Sequence, residues 1–179
     1  MPDFPVIETE RLILRCPQES DLDGFAEMMA DEEAMRFLGG VKPRPEAWRM
    51  IAILAGSFVL RGYALFSVVD RASGEWLGRI GPWYPEGWPG TEVGWGLKRA
   101  AWGKGYATEA AAAAMDFAFQ RLGWDEVIHT IAPENAPSQA VARRLGSRWL
   151  RPGRLPEPIA VDLDIWGQSR TDWLTRRKA

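Results

Sequence analysis

The chain has one cysteine, one histidine and little net charge, and each scarcity removes a class of protein. Cys16 cannot close an internal disulfide, which suits a reducing compartment, and its thiol reads as a packed strand residue. With His129 alone, a cluster of histidine and cysteine ligands cannot form, so no metal is expected; His129 itself lies in a strand-like run and reads as a satisfied core or surface imidazole. A formal charge of −2 argues against a general nucleic-acid binder, which would carry a basic excess. No stretch of about 18 apolar residues offers a membrane helix. Met1 to Ile7 shows neither a basic n-region nor a long apolar run, and the expected location is cytoplasmic. The Gly-x-Ser-x-Gly elbow of many hydrolases is missing as well.

What remains is the composition of an ordinary globular protein. At 179 residues, 46% hydrophobic and 26% charged, the chain fits a single domain, 1–179, with a sizeable core. Ten tryptophans exceed what such a core needs, and several lie in Pro/Gly-rich loops, which suggests an aromatic-lined cleft or interface. Alternation over Leu12, Leu14 and Cys16 predicts a first strand. A helix capped by Ser20 follows, with Leu22, Phe25, Ala26 and Met29 on one face, then a second from about Glu46 to Leu60, ended by Gly62. Tyr63 to Asp70 and Glu75 to Gly81 predict an antiparallel hairpin, and the stretch from Pro82 to Gly90 reads as a loop. Thr91 to Lys98 is a fourth strand, followed by a helix whose stripe is Tyr106, Ala110, Ala113 or Ala114, and Phe117. A strand from Glu126 to Ala132, a short helix capped by Asn135, and strands near Arg148 to Leu150 and Ile159 to Trp166 complete one mixed α/β sheet.

Residues 93–109 are the most informative segment: an apolar strand, a turn bracketed by Gly103 and Gly105, and an alanine-rich helix. The first N–H groups of a helix lack intrahelical partners and sit at the positive end of its dipole, so an anion docks there readily. Gly103 and Gly105 allow a backbone to approach phosphate closely, and Lys104 between them can add charge. The same glycines would equally serve a turn that needs them only for its geometry. Two nucleotide motifs fail on these residues. A P-loop would need glycine at Lys98 and Ser or Thr after Lys104, and the dinucleotide fingerprint finds Arg99 or Thr108 where a third small residue belongs.

The run Trp102-Gly103-Lys104-Gly105-Tyr106-Ala107-Thr108-Glu109-Ala110 resembles the coenzyme A loop of the GNAT superfamily of acetyl-CoA-dependent N-acetyltransferases. Asn135-Ala136-Pro137-Ser138-Gln139, followed by Val141 and Leu145-Gly146, is similar to the helix that flanks coenzyme A in that family. Glu10 to Arg15 resembles the first strand, and Glu92 to Trp95 the fourth, of the branch containing ribosomal-protein N-terminal acetyltransferases. The four motifs occur in the family's order. The resemblance implies the GNAT fold, with about seven strands and about four helices, and transfer of an acetyl group from acetyl-CoA to a primary amine by direct attack in a ternary complex.

It further implies that Trp95, Gly96 and Leu97 contact the pantetheine arm, that Trp102 to Thr108 contact the phosphates, and that Asn135 and Ser138 flank the coenzyme. A backbone N–H near Trp95 to Leu97 would polarise the thioester carbonyl. Glu92 is the candidate general base, since a carboxylate in a partly dry cleft can have its pKa raised to a useful value; the alternative is a Glu92 paired with Arg79. Trp83, Tyr84 and Trp166 are the candidate acceptor contacts. Asp162 to Trp166 lacks the tyrosine that protonates the leaving thiolate in many members, leaving water, Tyr84 or Tyr106 for that step. Ala100 stands where the loop pattern often has Gln or Arg, with Arg99 beside it. Five arginines from Arg143 to Arg154 read either as a solvated face or as an anchor for the coenzyme's outer phosphate. The alternative function is a non-catalytic acyl-CoA-binding module. The expected partner is an amine-bearing acceptor, without nucleic acid or membrane, and the chain is a monomer or homodimer.

Overall fold

A computed structural model describes residues 4–178, so the first three residues of the Met1 to Ile7 segment lie outside the described residues. Eight strands form one sheet in the order β1-β2-β3-β4-β5-β6-β8-β7, where β1 is Ile7–Glu8, β2 Leu12–Arg15, β3 Phe66–Asp70, β4 Trp76–Trp83, β5 Glu92–Leu97, β6 Glu126–Ile131, β7 Arg148–Arg154 and β8 Asp162–Ser169. Every neighbouring pair is antiparallel except β5 with β6. The helices are α1 (Leu22–Ala30), α2 (Glu32–Met35), α3 (Arg44–Arg61), α4 (Tyr106–Gln120), α5 (Ala136–Leu145) and α6 (Arg170–Lys178).

This is the expected mixed α/β sheet, with β1, α2 and α6 added to the expected elements. Two- and four-residue elements are too short to show a period, and α6 has only Trp173 and Leu174 as apolar residues in nine. Two local expectations change. A 3-10 turn, Glu19–Asp21, precedes α1, and its reciprocal cap is made by Gln18 and Asp21 rather than Ser20. Strand β4 runs on through Pro82 and Trp83, which were expected in a loop. Pro82 is tolerated because it faces Val93 beyond the last β3 partner, Phe66 opposite Ile80, where a ladder N–H has no acceptor to lose.

The sheet has two covered faces. On one, Ser67 donates to Asp21 ahead of α1 at 2.7 Å, and the space beside Gly96 is filled by Leu38. On the other, Phe66 meets Phe117 of α4 edge-on at 5.5 Å. Ala110, Ala111, Ala114 and Ala118 of α4 are wholly buried, so the helix axis lies close to β4 and β5. This buried stripe is turned from the expected one, leaving Tyr106, Ala113 and Phe117 half-buried, because five consecutive alanines carry no phase information.

Asp21 anchors the α1 face. Burial opposes its charge, but the Arg15 guanidinium at 2.6 and 2.8 Å, the Gln18 N–H at 2.9 Å and Ser67 hold its pKa below the usual carboxylate range. Cys16 lies half-buried one residue past β2, where burial pushes its thiol pKa up.

Candidate functional site

Strands β5 and β6 meet at one register pair, Glu92 opposite Ile128, and then part. The Lys98 N–H donates to the Leu77 carbonyl at 2.8 Å, which sets the alternation along β5. Gly94 and Gly96 turn their peptide groups toward β4, whereas Val93, Trp95 and Leu97 turn theirs toward the gap. At the closed end of the gap, the Val93 carbonyl accepts from His129 Nδ1 at 2.7 Å; at the open end, the Leu97 carbonyl accepts from the Trp102 indole at 2.9 Å. The Trp95 peptide and the Leu97 N–H lie between them on an edge that β6 no longer covers.

The open end leads into the N-terminus of α4. Gly105 is its N-cap in the left-handed conformation, φ 81°, and supplies no side-chain cap. The first helical bond is donated by Glu109 to the Gly105 carbonyl at 3.1 Å, leaving the amides of Tyr106, Ala107 and Thr108 facing outward. Gly103, φ 73°, has no atom within 4 Å of where a Cβ would stand, so both the backbone conformation and the free space suit a bound anion. Lys104 is exposed at the crest of this turn.

A strut that sequence reasoning missed holds the turn in place. Glu109 accepts from Thr9 Oγ1 at 2.6 Å, from the Arg11 N–H at 2.9 Å and from Arg11 Nε at 2.7 Å, and Arg11 Nη1 donates to the Lys104 carbonyl at 2.9 Å. Both Arg11 and Glu109 stand inside recognised motifs, yet 98 positions separate them and neither motif announces the pairing. On the loop's near side, Lys98 is buried between Glu27 and Glu75 at 2.8 and 3.0 Å. Arg99 pairs with Asp31 at 3.1 Å, and the Tyr106 hydroxyl points to Asp70 at 3.4 Å.

Helix α5 flanks the other side of the gap. Asn135 Oδ1 accepts from the Ser138 N–H at 3.2 Å, capping the helix, and Ser138 Oγ accepts from the Trp95 indole at 3.1 Å. Trp95 packs on His129 at 4.7 Å and against Trp166, which is 7% exposed beneath the Arg143 guanidinium. Trp166 is thus part of the α5 packing rather than an open surface. Three of the other four arginines of that stretch disperse: Arg148 faces Asp172, Arg154 faces Asp162 and Arg151 reaches the Pro89 carbonyl. His129 is 1% exposed, bonded also to Ser147 Oγ at 2.9 Å, and burial lowers its pKa from 6.5 to about 4.

Glu92 stands on the opposite face of β5 from Trp95, in line with Gly94 and Gly96. It is 5% exposed. Its carboxylate accepts from the Thr130 N–H at 2.9 Å, Thr130 Oγ1 at 2.8 Å and the Trp88 indole. Burial pushes its pKa up, against those bonds and the charge of Arg79. No ion pair within 4.0 Å joins Glu92 to Arg79 among the described residues, so the expected alternative of a simple pair is not what holds Glu92. Trp83, opposite Glu92 on β4, meets Trp88 edge-on at 6.4 Å, and Tyr84 follows it at the surface. Among the described residues no group of three or more metal-ligating side chains is present, and no helix is long and apolar enough to cross a membrane.

The splayed edge of β5 thus continues into a helix terminus that no side chain caps. Residues 11–148 match the acetyltransferase (GNAT) domain model, and the chain belongs to this family of acetyltransferases. It is 30% identical over 157 residues to the Bacillus subtilis (strain 168) protein YkkB, covering 86% of this chain and 91% of that one. It is 29% identical over 163 residues to the uncharacterized N-acetyltransferase YnaD of the same organism, covering 90% and 92%. The crystal structure of an acetyltransferase from Agrobacterium tumefaciens str. C58 superposes with a TM-score of 0.82 at 28% identity, over 94% of this chain and 96% of that chain.

Proposed function

We propose that the protein transfers an acetyl group from acetyl-CoA to a primary amine by direct attack within a ternary complex. The observation that carries this reading is the continuity of unpaired backbone donors from the Trp95 edge of β5 to the first turn of α4. Acetyl-CoA supplies an activated acyl thioester and a diphosphate. Tyr106, Ala107 and Thr108 amides, with Gly103, Lys104 and Gly105, hold the diphosphate, and Trp102 closes the turn over the Leu97 carbonyl. The gap between β5 and β6 takes the pantetheine arm along Trp95 and Leu97, with Ser138 fixing the Trp95 ring. Gly96 serves through its missing side chain, since its peptide is committed to β4.

The alternation supports the N–H of Trp95 or Leu97 as the donor to the reacting carbonyl oxygen, a contribution of about 3 kcal/mol for one such group. Glu92, on the far face, takes a proton from the acceptor's ammonium, directly or through a water, to free the amine that attacks; its raised pKa suits it to that exchange. Trp83 and Tyr84 flank the acceptor's approach. The Tyr106 hydroxyl is turned toward Asp70, so Tyr84 or water serves the leaving thiolate.

Incubation of the purified chain with acetyl-CoA and a panel of primary amines, read by release of free thiol, tests this. Thiol release with at least one amine is expected. Calorimetric binding of acetyl-CoA without release from any amine would refute transfer and leave a coenzyme-binding module.

A further inference from the structure

Arg79 is a guanidinium that the fold leaves without a partner. It sits on β4 opposite Gly96, on the face where its other neighbour, Ser67, reaches Asp21. The residue is half-buried, its Nε is fully buried, and no hydrogen bond or ion pair to it exists among the described residues. Arg11, Arg15, Arg44 and Arg154, by contrast, each hold a carboxylate. Burying a guanidinium nitrogen without an acceptor is unfavourable, and the outer nitrogens of Arg79, which are not buried, stay open to an anion.

The surroundings say where that anion would stand. On the α1 face of β5, Gly94 and Gly96 bring no side chain of their own on either side of Trp95, whose N–H points into the coenzyme gap; the Glu92 carboxylate lies 3.5 Å from where a Gly94 Cβ would stand, and Leu38 Cδ1 lies 3.1 Å from where a Gly96 Cβ would stand. An amine approaching an acyl group held at Trp95 crosses these glycines. Arg79 adjoins Gly96 across a narrow antiparallel pair, about 5.5 Å between Cα atoms, and the Glu92 Cα lies four residues along β5, about 13 Å from that of Gly96, with its carboxylate reaching back over Gly94 so that its charge and that of Arg79 act on each other. Glu92 and Arg79 thus stand on one face of the sheet, with the two glycines between them and Leu38 over Gly96.

We propose that the acceptor is a small amine carrying its own anionic group, of the amino-acid type, and that Arg79 binds that group. The inference rests on the acetyl-transfer reading of the same cleft. Arg79 acts on specificity: it selects an amine whose carboxylate or phosphonate lies a few bonds from the nitrogen, and it brings that nitrogen over Gly94 and Gly96. A planar guanidinium suits such oxygens because two N–H groups can engage them side by side.

The test compares amino acids with their primary amides, their decarboxylated amines and the matching aminophosphonates. Thiol release is measured with acetyl-CoA, and acceptor binding by calorimetry with coenzyme A present. In the wild type, the anionic acceptors should exceed the amides by about 10- to 100-fold in kcat/KM and in affinity. Arg79→Gln should erase that preference, lowering the anionic acceptors by the same factor while amides change less than about 3-fold, and Arg79→Lys should restore part of it. A phosphonate preferred to its carboxylate would support the inference and identify the anion. Amides or simple amines bound and used as well as the acids, or an R79Q loss equal for all acceptors, would overturn it. Absence of thiol release with acetyl-CoA bound would defeat the transfer reading alone, since the calorimetric comparison of acid with amide still reads the Arg79 contact.

Discussion

Acid should destabilise this fold through one residue, His129, before its carboxylates are neutralised. The imidazole is 1% exposed, with Nδ1 on the Val93 carbonyl and Nε2 on Ser147 Oγ. Because a carbonyl can only accept, Nδ1 carries the proton and Nε2 accepts from Ser147; Gln168 in turn donates to Ser147 Oγ at 2.9 Å. The folded state therefore holds the neutral ring, and burial lowers its pKa from 6.5 to about 4. The unfolded chain binds its proton first as pH falls. The stabilisation is complete above pH 6.5, declines between 6.5 and about 4, and is gone below that. At about 1.4 kcal/mol per pH unit the loss amounts to about 3 kcal/mol, a substantial fraction of a typical domain's stability.

Urea unfolding at pH 7.5, 6.5, 5.5 and 4.5, for the wild type and His129→Asn, reads this difference. Glu92 works with the opposite sign: its folded pKa is raised, so its share of stability falls as pH rises above 4.5. The informative quantity is accordingly the difference in pH slope between wild type and variant. An equal slope in both proteins, or an imidazole that titrates near 6.5 by NMR in the folded state, would refute the reasoning. The site is sensitive to the outcome because His129 ties β5 to β6 where the two strands begin to part.

Three further outcomes follow from particular contacts. Gly105→Val forces a branched residue to φ 81° and sets a Cβ 3.3 Å from Arg11 Nη2, so acetyl-CoA affinity by calorimetry should fall at least about 10-fold, with about 1–3 kcal/mol of stability lost; unchanged affinity would sink the loop assignment. Glu92→Gln should lower thiol release by about 100-fold or more and remove the acidic limb of its pH profile, with acetyl-CoA affinity within about 2-fold of wild type, as binding and turnover measurements would show. Asp21→Ala removes the partner of a largely buried Arg15 and should cost about 3–5 kcal/mol in urea unfolding. For the wild type the Asp21 contribution is present above its ordinary pKa of 3.8 and lost as pH falls through its lower folded value.

The parts of the site legible in the sequence are those whose physics is local. Gly103 and Gly105 mark left-handed backbone ahead of an alanine helix, Asn135 with Pro137 marks a capped helix start, and Gly146 its end, so the donors at two helix termini could be placed before any packing was known. Element length limited the rest of the secondary structure. The Ile7–Glu8 and Glu32–Met35 segments carry too few residues to show a period, and the phase of α4 is invisible within five alanines.

Charge and burial belong to the other category. That Glu92 would be held by Thr130 and Trp88 rather than by an ion pair with Arg79, that Arg79 would be left alone, and that Trp166 would be covered by Arg143 depend on which strands become neighbours. The same holds for Glu109, whose partners Thr9 and Arg11 arrive from the turn between β1 and β2, about a hundred residues earlier. Backbone propensity and capping act over a few residues and are written in order along the chain. Desolvation and pairing of charges act over a few ångströms of space, and only the folded sheet decides which residues come within that range.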